Sequence, residues 1–229
     1  MASLLAGAMT TGSVSADVII DDFSAVDDPT PWPVVISTLT SVDIYENGLS
    51  HVIGASRHST IRATFLEELG LDFVQAAIVP NFGMILDYSS TAGARGDWNL
   101  LYDNDGAGLC ADFGAITDII LDFARFDYAN GQPLPIVVRI ADTVNVASLD
   151  HALNTSGPQS MTFCLADFNG IGSVDLSDVQ SISVFLDPGV AVDFRLSRIY
   201  GVPTPSSMVL LTAGTLVFVG GRRKRNLLN

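Results

Sequence analysis

Basic residues are almost missing from most of this chain. Of the 11 Lys and Arg in 229 residues, four are Arg222, Arg223, Lys224 and Arg225, close to the C-terminus. Residues 17 to 201 therefore set seven Arg against all 25 acidic residues, a formal charge near −18. That field repels phosphate backbones and excludes nucleic acid as a partner of this segment. Cysteine is nearly absent too, with only Cys110 and Cys164. His51, His58 and His151 have no HxxxH or His-Cys spacing, so no zinc motif can be assembled from them. No P-loop or dinucleotide fingerprint occurs, and Ser59 and Ser160 lack a nucleophile elbow. No long amphipathic helix can be traced.

What the sequence does have is a series of short runs with a period of two. Ile61, Ala63 and Phe65 recur at every second position around Arg62 and Thr64, as do Ile119, Leu121 and Phe123 around Ile120 and Asp122. The same holds for Ile136, Val138 and Ile140, for Ile182, Val184 and Leu186, and for Val190, Val192, Phe194 and Leu196. Turn chemistry bounds the runs at Asp103-Asn104-Asp105-Gly106, Asn130-Gly131, Ser156-Gly157-Pro158 and Asp187-Pro188-Gly189. The pattern predicts an all-β sandwich, and only residues 66 to 78 could compete as a short helix.

The two ends read differently from the middle. Residues 1 to 16 are small and apolar and close on Val14-Ser15-Ala16, which fits a signal-peptidase site, although a basic n-region is missing. Residues 17 to 201 are expected to form the sandwich. Residues 202 to 207 are a Pro/Ser linker expected to stay out of the core. Residues 208 to 221 carry no charge and are expected to form a single hydrophobic helix in a membrane, with residues 222 to 229 as a basic cytoplasmic tail. The succession Val202-Pro203-Thr204-Pro205, apolar run, Arg222-Arg223-Lys224-Arg225 resembles the PEP-CTERM sorting signal of exported bacterial proteins. Thr204 stands where that motif usually has Glu. The resemblance covers about 25 residues. It implies export, transient membrane retention, recognition by an exosortase, and delivery to the cell surface or extracellular matrix.

The middle resembles the jelly-roll, galactose-binding-like domains of such proteins. Ile20-Asp21-Asp22-Phe23 fits their first strand, Asp175 to Ile182 the approach to the penultimate one, and Asp193 to Ile199 the last. The resemblance implies a structural calcium ion joining the first and last strands, with Asp21, Asp22 and Asp193 as ligands. Ser197 stands where those relatives tend to have an acid. The loop Asp103-Asn104-Asp105-Gly106 resembles the opening of a calcium loop without its downstream acid, and reads otherwise as a tight turn. Cys110 and Cys164 are either a disulfide, contributing about 3 to 4 kcal/mol through loop closure, or two free thiols.

No catalytic constellation stands out, so the expected role is a non-catalytic exported surface or matrix protein. A carbohydrate-binding module is the alternative, and a glycan-active enzyme a more distant one. Sugar binding is strengthened by an exposed aromatic platform beside hydrogen-bonding groups. Trp32, between Pro31 and Pro33, is the expected platform; Tyr45 and Tyr128 are secondary candidates. Trp98 is expected in the core with Leu100 and Tyr102. If the tail determines localisation, deleting Ser206 to Asn229 turns a membrane-retained protein into a freely secreted one. Fractionation of membrane and medium checks this, and identical partition of the two forms would contradict it.

Overall fold

The computed structural model describes residues 16–26, 31–68, 70–79, 85–127 and 131–204. The strands are β1 (Val18–Asp21), β2 (Val34–Ile36), β3 (Ser41–Asn47), β4 (Ser56–Leu66), β5 (Val74–Val79), β6 (Ile85–Ser90) and β7 (Ala94–Tyr102). They continue with β8 (Ile116–Asp127), β9 (Leu134–Ala141), β10 (Val146–Leu153), β11 (Gln159–Cys164), β12 (Ser181–Leu186) and β13 (Asp193–Pro203). One sheet has the order β11-β8-β13-β6-β5-β2, with β1 also on β13; the other runs β10-β9-β12-β7-β4-β3. All pairings are antiparallel.

The last eight strands nest. β6 pairs with β13, β7 with β12, β8 with β11, and β9 with β10. A long hairpin wound so that alternate pairs fall in opposite sheets is a jelly roll, so this topology bears out the expected all-β sandwich, whereas the expected C-terminal helix lies outside the described residues. The segment that could have been a helix is a turn followed by β5.

Period-two alternation accounts for the core. Ile119, Leu121, Phe123, Ile136, Val138, Ile140, Ile182, Val184, Leu186, Phe194 and Leu196 are all buried. Each fully buried aliphatic or Phe side chain stabilises the fold by roughly 1.5–3 kcal/mol relative to exposure. Trp98, Leu100 and Tyr102 are fully buried on one face of β7, as the sequence predicts. The sheets also meet through a hydrogen bond, the Gly96 N–H of β7 donating to the Tyr88 hydroxyl of β6 at 3.1 Å. Gly96 is required there, because a Cβ would collide with the Arg62 carbonyl.

Two sequence expectations are corrected by strand irregularities. Phe65 is 48% exposed, not inward. The β4–β7 register shifts between Ala63 and Phe65, which reverses the facing of everything beyond. Val202 and Pro203 are also not the linker residues the sequence suggests. Val202 and Pro203 belong to β13, opposite Asp118 and Ile116 of β8, and Pro203 is buried. A proline is tolerated because β1 pairs with β13 only as far as Gly201, so no ladder on that side needs its N–H. Thr204 fastens the end of the strand, its N–H and hydroxyl both donating to the Ala115 carbonyl. Pro205, the hydrophobic run 208 to 221, the basic cluster 222 to 225 and the leader 1 to 15 lie outside the described residues.

One polar cluster is sealed inside this core. Arg57 of β4 donates from Nη1 to Asp21 Oδ2 at 2.7 Å, and from Nε and Nη2 to Glu46 Oε2 at 3.0 and 2.8 Å. All three side chains are fully buried. Nη2 also donates to the Ala25 carbonyl, Tyr102 Oη to Asp21 Oδ2, and the Phe23 N–H to Asp21 Oδ1. Burial pushes the Asp21 carboxyl above its ordinary value, against the pull of Arg57 and the Phe23 and Tyr102 donors. Burial alone would lower Arg57, but the Asp21 and Glu46 carboxylates hold it above its ordinary value.

Arg57→Met removes the guanidinium to which the buried Asp21 and Glu46 carboxylates are both bonded, and is expected to cost about 3–5 kcal/mol at pH 7. Without Arg57 the folded-state value of Asp21 rises further above the unfolded one, so the folded form of the variant holds the proton. Stability of the variant therefore recovers as pH falls from 7 to 5. Urea denaturation of both proteins at the two pH values checks this; an equal loss at both would contradict it.

Candidate functional site

The outward face of the six-stranded sheet carries the side chains that alternate with the core. Because Arg57 and Glu46 point inward, their neighbours His58 and Tyr45 point out. Tyr45 pairs with His58 across β3 and β4, and the two rings stack with centroids 3.9 Å apart and an interplanar angle of 16°. Tyr45 remains 59% exposed. His58 is held from the other side, with Nε2 3.3 Å from Asp43 Oδ1. A carboxylate oxygen can only accept, so that nitrogen carries the hydrogen. The Thr60 hydroxyl donates to the same oxygen at 2.7 Å. The phenol ring is thus a supported platform on the edge strand.

A cleft of about 270 Å³ opens beside it. Tyr45, Asn47, Ser56, His58, Asp103 and Asp105 are among its lining residues. The turn after β7 reaches this position because it is fastened to β4: the Asp105 N–H donates to Ser56 Oγ at 2.9 Å. The turn is closed by Gly108 N–H to Asp103 O and by Asn104 Nδ2 to Gly108 O. Away from the cleft the same face continues through the register. Asn99 lies opposite Thr60, Phe185 opposite Asn99, and Val137 opposite Phe185, ending at Asp150. Arg62 is locked to Asp97 on this face at 2.6 Å. The arrangement combines one flat exposed ring, half-buried apolar side chains and polar groups of both hydrogen-bonding senses.

Several expected site residues are elsewhere. Trp32 is not a platform: it is 7% exposed and packs against Trp98 with ring centroids 5.5 Å apart. Asp21 is committed to Arg57, and Asp22 accepts from the Ser24 N–H and lies 3.1 Å from His51 Nδ1. Asp193 is not brought to either. Asp21 faces Ile199, six residues further along β13, which at about 3.4 Å per residue is some 20 Å away. The expected strand-pinning calcium set is therefore not assembled from these three; β1 and β13 are joined by their own antiparallel ladder, while Asp21 is spent on Arg57. Among the described residues no group of three or more His, Cys, Asp or Glu converges to hold a metal, the Asp103–Gly106 turn included. Tyr128 lies outside the described residues.

The cysteines are both free. Cys110 is exposed, with its sulfur 3.9 Å from Gln180 Oε1, whereas Cys164 ends β11 opposite Asp118. The structure thus holds the pair as two free thiols, the second of the two readings.

No family model matches the chain, and no curated protein matches it. Solved structures do. A family 11 carbohydrate-binding module from Clostridium thermocellum, in complex with a β-1,3-1,4-mixed-linked tetrasaccharide, is 12% identical with a TM-score of 0.41, over 84% of this chain and 98% of that one. The carbohydrate-binding module TmCBM61, in complex with β-1,4-galactotriose, is 9% identical with a TM-score of 0.35, over 63% and 88%. An agarase, AgWH50C, is 12% identical with a TM-score of 0.41, over 83% of this chain and 25% of the enzyme. Likeness at these values assigns no role to this chain; the site stands on its own geometry.

That geometry separates platform from core by stability. Trp32→Ala is expected to destabilise the fold by about 3–5 kcal/mol, the usual cost of emptying a buried aromatic site, and Tyr45→Ala by less than about 1.5 kcal/mol, since it loses mainly one exposed ring stack. Denaturant titration of the two variants checks the order, and a larger loss for Tyr45→Ala would overturn it.

Proposed function

We propose that the domain is a non-catalytic glycan-binding module that works outside the cell, with the outward face around Tyr45 as its contact surface. The observation that carries this is the exposed Tyr45 ring, stacked on a fixed His58 at the mouth of a cleft lined by Asn47, Ser56, Asp103 and Asp105. A flat ring covers the apolar face of a pyranose, while amide, hydroxyl and carboxylate groups beside it take up the ring hydroxyls. Asp43, Asp103 and Asp105 make the surroundings acidic, which disfavours sulfated or uronic polymers and favours neutral ones.

Export is the second element of the proposal. The leader ending at Ala16 and the tail resembling a sorting signal would carry the domain through the membrane, retain it there by residues 208 to 221, and offer it to an exosortase for transfer to the surface or matrix. Glycan contact and matrix delivery fit one role, a protein that attaches to polysaccharide outside the cell.

A printed array of neutral and acidic oligosaccharides probed with the full chain tests the binding. Neutral glycans are expected to dominate, and Tyr45→Ala is expected to weaken them by about tenfold or more, the equivalent of 1.4 kcal/mol, while the variant stays fully folded at the assay temperature. Absence of neutral binding, or a Tyr45→Ala variant that binds like the parent, would overturn the assignment.

A further inference from the structure

The opposite face of the sandwich has a cleft of its own, of about 210 Å³, on the outward side of β5, β6, β13 and β8. Two rows of side chains form its floor. Ala77, Asp87, Arg195 and Arg125 stand abreast through successive strand pairings. In the next row Gln75 pairs with Ser89. Asp193, which pairs with Asp127, comes one residue beyond the Phe194–Tyr88 pair and so lies beside Ser89. The Gln75–Ser89–Asp193 row crosses three strands, about 10 Å at 4.8 Å per strand.

The two rows differ in how far their hydrogen-bonding capacity is used. Arg195 reaches Asp87 Oδ2 at 3.2 Å, and Arg125 lies 3.6 Å from Asp127 Oδ2. Gln75, Ser89 and Asp193 make no side-chain hydrogen bond among the described residues. A carboxylate, an amide and a hydroxyl with unspent capacity thus stand in line, next to two guanidinium groups with free donor edges. A carboxylate accepts from two neighbouring hydroxyls, a guanidinium donates to two, and an amide does both. That is the complement of vicinal sugar hydroxyls. Three carboxylates against two guanidiniums leave the patch net negative, which excludes an acidic polymer as its favoured occupant.

We propose that this cleft is a second contact site for neutral glycan, so that one domain bridges two polysaccharide chains from its opposite faces. The proposal rests on the glycan-binding reading of the Tyr45 face and extends it from attachment to cross-linking. A platform without a ring on the second face binds more weakly than the first, and the pair gains through avidity when both faces engage one network.

The test uses the full chain, Tyr45→Ala, the double variant Gln75→Ala/Asp193→Ala, and the combined triple variant on the same array, each checked to be fully folded at the assay temperature. Neutral spots are expected to retain measurable signal with Tyr45→Ala, to lose several-fold with Gln75→Ala/Asp193→Ala, and to go dark only with the triple variant. Calorimetry with the strongest neutral oligosaccharide is expected to give two sites for the parent and one for each partial variant. If Tyr45→Ala alone abolishes neutral binding, or the parent titrates with a single site, the bridging proposal falls while the Tyr45 platform stands. If the parent binds no neutral glycan, the functional reading itself falls.

Discussion

The Arg57 guanidinium is the constraint on which the rest of the structure depends. It ties together β1, β3 and β4 through Asp21 and Glu46, and the loop after β1 through the Ala25 carbonyl. Taking these charges out of water is expensive, and only near-complete hydrogen bonding returns that cost. The arrangement therefore tolerates little adjustment. Because side chains alternate along a strand, fixing Arg57 and Glu46 inward fixes His58 and Tyr45 outward, in register across β3 and β4. The buried pair and the exposed stack occupy adjacent ladder positions on opposite sides of the sheet. A slip of one residue would bury the platform and expose the charges together.

The jelly-roll winding explains why the molecule presents two usable faces. Each sheet buries one side against the other, and the sides left over are broad and polar. On the six-stranded sheet the outward face holds a ring, apolar half-buried side chains and Arg62–Asp97. On the seven-stranded sheet it is built of charges and amides, with Arg198 over the Tyr200 ring at 3.8 Å as its aromatic contact further along. Sequence acidity suits this layout, since neutral sugars are indifferent to a field that keeps anionic polymers and nucleic acids away.

The fold was legible because alternation is a local signal. Ile119, Leu121 and Phe123, or Ile136, Val138 and Ile140, reveal their faces within five residues. The failures came where a local rule was overruled. Phe65 continues the alternation of Ile61 and Ala63, but a bulge needs a partner strand to be seen. Pro203 looks like a linker residue, yet its strand position leaves no ladder bond to lose. Trp32 between two prolines looks exposed, and only Trp98, 66 positions away, gives it somewhere to pack. The site was partly legible. Arg57 shares the parity of Ser59, Ile61 and Ala63, and an arginine on a core parity demands buried acids; Asp21 and Glu46 are the acids that answer it. The same parity count places Tyr45 and His58 outward and could have raised Tyr45 above Trp32. The expected ligand set of Asp21, Asp22 and Asp193 is not assembled because resemblance to a first and last strand gives no register, and Asp21 meets β13 at Ile199 instead of Asp193.

The central claim is that the Tyr45–His58 face receives a neutral glycan. Titrating the isotopically labelled protein with the neutral oligosaccharide that gives the strongest array signal, and following backbone amide resonances, tests it most directly. The account predicts that the largest shifts cluster on residues 43 to 47, 56 to 60 and 103 to 106. Shifts confined to other strands, with those three segments unmoved at saturation, would contradict it.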